Sequence, residues 1–266
     1  MYSFISVCHG ISLLSIPFNN GNYSVSVVLV RCGGQTVLID SGECAQTVDN
    51  YILPALHEIG VDRLDWLLCT HQHSDHIGGH KRLKEILGCP IAVYEKDAEV
   101  FPLPVDRILH NEEMPIQGLQ LIATPGHSDD SVCFLHCNSK TLITGDSFQG
   151  CGTDGVGLAL VEDVQAYQSS IQRIISLNAH RIIAGHCFSP CNFIISNPLH
   201  VHAFLQCCTD TIDRYLYFVS IHKQLNDYSI AESLKKKEGR IQNYYLTPCD
   251  GTIHSCRIFL KNSAII

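Results

Sequence analysis

Residues 70–80 read Thr-His-Gln-His-Ser-Asp-His-Ile-Gly-Gly-His, directly after the apolar run 66–69. No other stretch constrains the fold as strongly. His71 and His73 stand two apart, so at the end of an extended strand their side chains leave on one side. Asp75 and His76 follow where the chain turns, which lets a second pair of groups face a second ion. Imidazole and carboxylate are ordinary ligands of zinc and similar divalent ions.

Further ligand candidates lie downstream in three similar settings. His127 sits in Thr-Pro-Gly-His-Ser after the run 119–123, Asp146 in Ile-Thr-Gly-Asp-Ser after 141–143, and His186 in Ile-Ile-Ala-Gly-His-Cys after 181–184. Each is a short β-type run, then glycine, then a ligand-type residue. Ligands at the carboxyl ends of several strands converge on one rim of a sheet. Five histidines and two aspartates are enough for two metals.

Composition bounds the class. The chain has 266 residues, 45% hydrophobic and 17% charged, which predicts one large domain, or one domain with an appendage. A formal net charge of −8 argues against a nucleic-acid partner, which would call for a basic face. No run reaches 18 apolar residues, so no membrane span is expected. Residues 1–18 carry no basic leader or small-residue cleavage site, which predicts a cytoplasmic protein. With no leader, the 14 cysteines read as free thiols and not as disulfides.

Patterning predicts strands near 4–7, 12–16, 25–31 and 36–39, and a helix over 46–59 closed by Gly60. A buried strand at 66–69 delivers the histidine motif. Gly78-Gly79 is expected to let the backbone pass close to the metals before a helix over 79–87. A strand at 91–94, a proline-bearing loop at 101–118, and strands at 119–123, 131–136 and 140–144 follow. Asp163 is the expected cap of a helix ending near 176. Long helices are expected over 199–223 and, with Ser229 as cap and Gly239 as stop, over 229–237. A closing strand is expected at 253–260. Periodicity alone yields α/β with several antiparallel strands.

The motifs together resemble the metallo-β-lactamase superfamily: Leu-Ile-Asp-Ser-Gly at 38–42, Thr-His-x-His-x-Asp-His at 70–76, then Pro-Gly-His, Gly-Asp and Gly-His. The likeness runs from about Val25 to His186. It implies a four-layer αββα sandwich over 1–196. Residues 197–266 would add a C-terminal helical extension with the closing strand, packed on the same domain. It also implies that His71, His73 and His127 hold one metal, Asp75, His76 and His186 a second, and that Asp146 bridges both. Asp40 would orient the ligands from behind. Two divalent ions are implied, zinc foremost, with iron or manganese as alternatives.

The implied activity is a hydrolase in which a metal-bridging hydroxide cleaves a small ester-type substrate, a thioester or lactone, with Asp75 and Asp146 as the catalytic carboxylates. The bridging aspartate is similar to that of the hydroxyacylglutathione hydrolase and lactonase branch, and true β-lactamases usually lack it. The alternatives are a metal-dependent phosphodiesterase or nuclease and a non-catalytic binding protein on the same fold. The expected partner is a small molecule. His200, His202 and Arg214 are the candidates to face it, and the first to inspect for a phosphodiester. The sequence does not indicate an oligomeric state.

Overall fold

The computed structural model describes residues 2–18, 23–153, 157–238 and 250–263. The chain divides into two compact units. One holds residues 1–123 and 132–145, the other residues 124–131 and 146–266.

In the first unit, β1 (Ile5–Cys8), β2 (Ile11–Phe18), β3 (Tyr23–Cys32) and β4 (Gln35–Ile39) pair antiparallel. β4, β5 (Trp66–Leu68), β6 (Ile91–Tyr94) and β7 (Arg107–Leu109) pair parallel, completing a seven-stranded sheet in chain order. The change of direction follows from the connections, because parallel neighbours need long crossovers. Between β4 and β5 run α1 (Ala45–Thr47), a π-helical turn (Val48–Ile52) and α2 (Leu53–Glu58). Between β5 and β6 run α3 (Ser74–Ile77) and α4 (His80–Leu87). The carboxyl ends of adjacent strands β4 and β5 therefore release two loops side by side. One carries Asp40 and the other carries residues 70–76.

Behind these loops, Val25, Val27, Leu29, Leu38, Leu67, Ile91 and Val93 pack against Val48, Ile52 and Leu56 in one buried cluster. Each such side chain contributes about 1.5–3 kcal/mol relative to exposure. The sheet is thus a stiff platform for the loops. β8 (Leu119–Ala123), β9 (Val132–His136) and β10 (Thr141–Gly145) form an antiparallel ladder in the same unit.

The second unit holds α5 (Val164–Ser176), the hairpin of β11 (Arg181–Ala184) and β12 (Ile194–Ser196), α6 (Pro198–Ile221), α7 (Asp227–Lys237) and α8 (Asp250–Asn262). α6 packs on α5, β11 and β12, and α8 on α5, α6 and α7. Backbone N–H groups of Val161 and Val164 donate to Thr252 Oγ1 and Ser255 Oγ, each at 2.9 Å. The 196/197 boundary expected from sequence lies inside this unit.

Several expectations are corrected. The closing strand at 253–260 is helix α8. Its buried residues, Ile253, Cys256 and Leu260, are spaced three and four apart, a helical stripe that the β-type residues had masked. α7 starts two residues early: Asn226 is its cap and accepts from the Ser229 N–H at 2.8 Å. Gly239 lies outside the described residues. The 101–118 loop contains the edge strand β7, and β12 was not foreseen. Asp163 caps α5 as expected, accepting from Ala166 N at 2.9 Å. Among the described residues no helix is long and apolar enough to cross a membrane.

Candidate metal centre

The first unit contributes a half-site organised by one carboxylate. Asp40 follows β4 with a left-handed backbone, φ 64°, a conformation that Asp tolerates better than most residues. It is 2% exposed. Its Oδ1 accepts from Thr70 N at 2.8 Å, and its Oδ2 accepts from Thr70 Oγ1 at 2.9 Å and from His76 Nδ1 at 2.8 Å. An ionised carboxylate can only accept, so Nδ1 of His76 carries the hydrogen and Nε2 bears the lone pair. The Thr70 hydroxyl spends its hydrogen on Asp40 and therefore accepts from His71 Nδ1 at 3.0 Å. His71 is thereby held in the same tautomer. One buried anion orients two imidazoles, a usual support for metal-ligating histidine.

His71 Nε2 lies 3.0 Å from His73 Nδ1. Two ring nitrogens on one tetrahedral zinc, each at about 2.0–2.1 Å, would stand roughly 3.3 Å apart. The ligand atoms of His71 and His76 lie within 4.8 Å of each other, and Asp75 Oδ2 is 3.7 Å from His76 Nε2. The His73 carbonyl accepts from the N–H groups of His76 and Ile77 at 3.0 and 3.1 Å, so the first turn of α3 locks these residues together. The donor types and spacing suit a divalent ion.

Glycines permit this packing. A Cβ on Gly145 would stand 2.3 Å from Thr70 Oγ1. A Cβ on Gly78 would stand 1.8 Å from the Glu43 carbonyl oxygen, and one on Gly79 2.3 Å from that of Ser41. Gly78 and Gly79 therefore serve a backbone-on-backbone contact with residues 41–43. Ser41 completes the support. Its N–H donates to the His76 carbonyl at 2.7 Å, and its Oγ lies 2.7 Å from His80 Nδ1. Burial pushes the His80 imidazole down to about 3, so it sits there neutral.

The second unit brings ligand-type groups together from three separate turns. His127 Nε2 and His186 Nε2 lie 4.0 and 3.4 Å from the same atom, Asp146 Oδ2. His127 Nδ1 is 2.9 Å from the Leu160 carbonyl and 2.9 Å from Gln149 Nε2. The carbonyl requires Nδ1–H, whereas the amide would donate to a bare Nδ1. Ligation through Nε2 would resolve this competition in favour of the carbonyl. Gln149 Oε1 accepts from Leu160 N at 2.8 Å, which ties the two supports together. Thr124 Oγ1 and Ser147 Oγ, 2.8 Å apart, join the segments bearing His127 and Asp146. His186 meets Phe188 edge-on, with ring centroids 5.7 Å apart.

Sequence reasoning missed Thr70, Ser41, His80 and Gln149 as supports. Thr70 lay inside the motif, and its place before His71 was the available signal. Gln149 had no signal of spacing. Of the candidates to face a substrate, His200 and His202 are exposed, and His200 Nδ1 donates to the Ser196 carbonyl at 3.1 Å. Arg214 pairs with Glu238 at 3.3 Å and donates to Thr211 Oγ1 at 3.2 Å. Tyr215 is fully buried, its hydroxyl accepting from Ala159 N at 3.2 Å.

A two-sheet α/β chain with His/Asp half-sites on loops at strand ends defines a class of metal-binding fold. The model of the metallo-beta-lactamase superfamily matches residues 20–186. This chain belongs to that superfamily. A metallo-beta-lactamase family protein from Thermus thermophilus superposes with a TM-score of 0.74 at 20% identity, covering 97% of this chain and 95% of that one. The fold is the metallo-β-lactamase fold with C-terminal helices. A beta-lactamase-like protein 2 homolog from Drosophila melanogaster is 33% identical over 178 residues, 59% of this chain and 56% of that protein. A hydroxyacylglutathione hydrolase from Francisella philomiragia is 34% identical over 112 residues, 41% of this chain and 44% of that protein. The chain spans about half the length of these curated relatives.

Proposed function

We propose that this chain is a metal-dependent hydrolase of a small thioester or lactone, and that it uses two divalent ions, zinc foremost. His71, His73 and His127 form the first ligand set, Asp75, His76 and His186 the second, and Asp146 serves both. Close pairs of ligand-type groups within each unit support the assignment: His71 Nε2 with His73 Nδ1 at 3.0 Å and Asp75 Oδ2 with His76 Nε2 at 3.7 Å in the first, and His127 and His186 with Asp146 Oδ2 in the second. Asp146 stands against one histidine of each set, His127 at 4.0 Å and His186 at 3.4 Å, and that observation carries the reading. Iron or manganese suits the same donors, because His and carboxylate ligands do not select among these ions by type alone.

Bound there, two divalent ions would polarise a carbonyl and bring the pKa of a water from about 15.7 toward 7. The chain's own residues do the rest. Asp146 spaces the ligands and accepts a hydrogen bond from the attacking water. Asp75 completes the second set and offsets positive charge. Asp40 is a positioning residue, acting through Thr70 and His76. No serine or cysteine nucleophile is required.

Substrate class rests on two supports. A phosphodiester carries a full negative charge and calls for cationic side chains. His200, His202 and Arg214, the candidates for that role, are surface groups, with His200 engaged by the Ser196 carbonyl and Arg214 by Glu238. The relative named hydroxyacylglutathione hydrolase is named for an acyl–sulfur ester. The test is a panel of chromogenic thioesters, lactones and bis-aryl phosphodiesters, run on zinc, manganese and iron forms. Turnover of a thioester or lactone is expected. A phosphodiester turned over at least a hundredfold more efficiently than any ester would overturn the substrate assignment, and a fully folded protein that takes up no metal would overturn the enzyme reading.

A further inference from the structure

We propose that Cys151 and Cys207 form a redox-responsive dithiol that closes to a disulfide and clamps the segment following Asp146 to helix α6. The inference is independent of any metal. None of the 13 cysteines described is in a disulfide, yet Cys151 Sγ and Cys207 Sγ stand 3.1 Å apart, across 56 residues of chain. A disulfide bond is about 2.05 Å long, so closure needs the sulfurs to approach by roughly 1 Å. Both side chains are half-buried, which leaves a small oxidant access to them.

The surroundings make the two sulfurs unequal. Cys151 lies in a turn held by its N–H to the Ser189 carbonyl and by Ser189 N–H to the Gly152 carbonyl, both at 2.9 Å. The Thr211 hydroxyl, which donates to the Cys207 carbonyl at 2.8 Å, stands 3.7 Å from its sulfur, and the Arg214 guanidinium lies beside it. Cys207 is held protonated: burial and its bond to Cys151 push the thiol up to about 12. We take Cys151, with the Arg214 guanidinium beside it, as the attacking sulfur and Cys207 as the resolving one. Cys208, fully buried and bonded from Gly150 N at 3.2 Å, is the structural neighbour.

The oxidant is a small-molecule disulfide. The Cys151 thiolate attacks one of its sulfurs, forms a mixed disulfide and expels one thiolate. Cys207 then attacks Cys151 sulfur, breaks the mixed disulfide and releases the second thiolate, which takes the Cys207 proton. Overall the protein pair loses two electrons and two protons, and the small disulfide gains them as two thiols. The clamped segment includes Gln149, 2.9 Å from His127, so the redox state bears directly on a ligand support.

The experiment is to titrate the full chain with oxidised glutathione, block remaining thiols by alkylation and map the peptides. The expected product is a Cys151–Cys207 disulfide that forms before any other. Cys207→Ser should trap glutathione on Cys151, and Cys208→Ser should leave the pairing intact. Arg214→Gln should slow the first step at pH 7 by about fivefold or more. Pairing of Cys151 with another cysteine, or oxidation elsewhere while both thiols remain alkylatable, would overturn the proposal. The wild-type map decides this even where a variant fails to fold.

Discussion

The two half-sites reach similar chemistry by different routes. In the first unit, four ligand-type residues come from six consecutive positions, and a single buried anion, Asp40, sets two of their tautomers through bonds of 2.8–3.0 Å. In the second, His127, Asp146 and His186 come from turns far apart in sequence. Neutral groups support His127 there: the Leu160 carbonyl directly, and the Gln149 amide through its bond from Leu160 N at 2.8 Å. Contiguous ligands concentrate the orienting burden on one residue, whereas dispersed ligands share it among several weaker bonds. Hydrogen bonds to a charged group contribute about 1.5–3 kcal/mol against about 1 for neutral ones. The first half-site should therefore fail sharply when its anion is changed, and the second should fail gradually unless a ligand itself is lost.

The largest effect is expected at the ligand that both proposed sets share. Asp146→Ala should lower turnover by at least about 10²-fold, through lost positioning, and reduce bound metal below two ions per chain. Metal analysis and steady-state kinetics check this, and wild-type activity would reduce Asp146 to a turn residue. Next comes Asp40→Asn. Asparagine tolerates the φ of 64°, so the change isolates charge from backbone strain. Metal affinity should fall by about 10–100-fold, as for other supports of ligating histidines. A competition titration with a chelator measures it.

Gln149→Ala should cost less than Asp40→Asn, about tenfold or less in metal affinity, because the Leu160 carbonyl still orients His127. If the two variants lose equally, the contrast between an anion-organised and a shared half-site is wrong. The smallest expected effect is on stability. His80 stays neutral in the folded chain down to about 3, whereas an unfolded histidine takes up its proton near 6.5. Between those values only the unfolded state binds the proton. Stability therefore falls as pH drops through this window, by up to about 1.4 kcal/mol per pH unit. Urea melts of metal-free protein at pH 7.5, 6.5 and 5.5 should show a steeper loss for wild type than for His80→Gln. Parallel slopes would remove His80 from the account.

Much of the architecture could be read in advance because it is locally encoded. The alternating or continuous apolar runs placed most strands, and Asp163 announced α5 by its own side chain. The C-terminal region resisted for the same reason: Ile253 to Leu260 mixes β-type residues with a helical stripe, and packing on α5 and α6 decided between them. The π-helical turn at Val48–Ile52 and the short strand β12 carry no local signature.

The sequence by itself determined the candidate ligand types and the motif at 70–76, because metal chemistry demands particular side chains at short spacing. The family resemblance implied that Asp40 belonged with them, and it bonds Thr70 and His76. Only the tertiary structure decided how each imidazole is held. Thr70 relays Asp40 to His71, and Gln149 and Leu160 meet at His127, through hydrogen bonds between residues up to 36 apart in the chain. It also decided that Arg214 lies beside Cys151 and Glu238. A tautomer depends on which atom lies within about 3 Å of a ring nitrogen, and that is a property of packing, not of any run of residues.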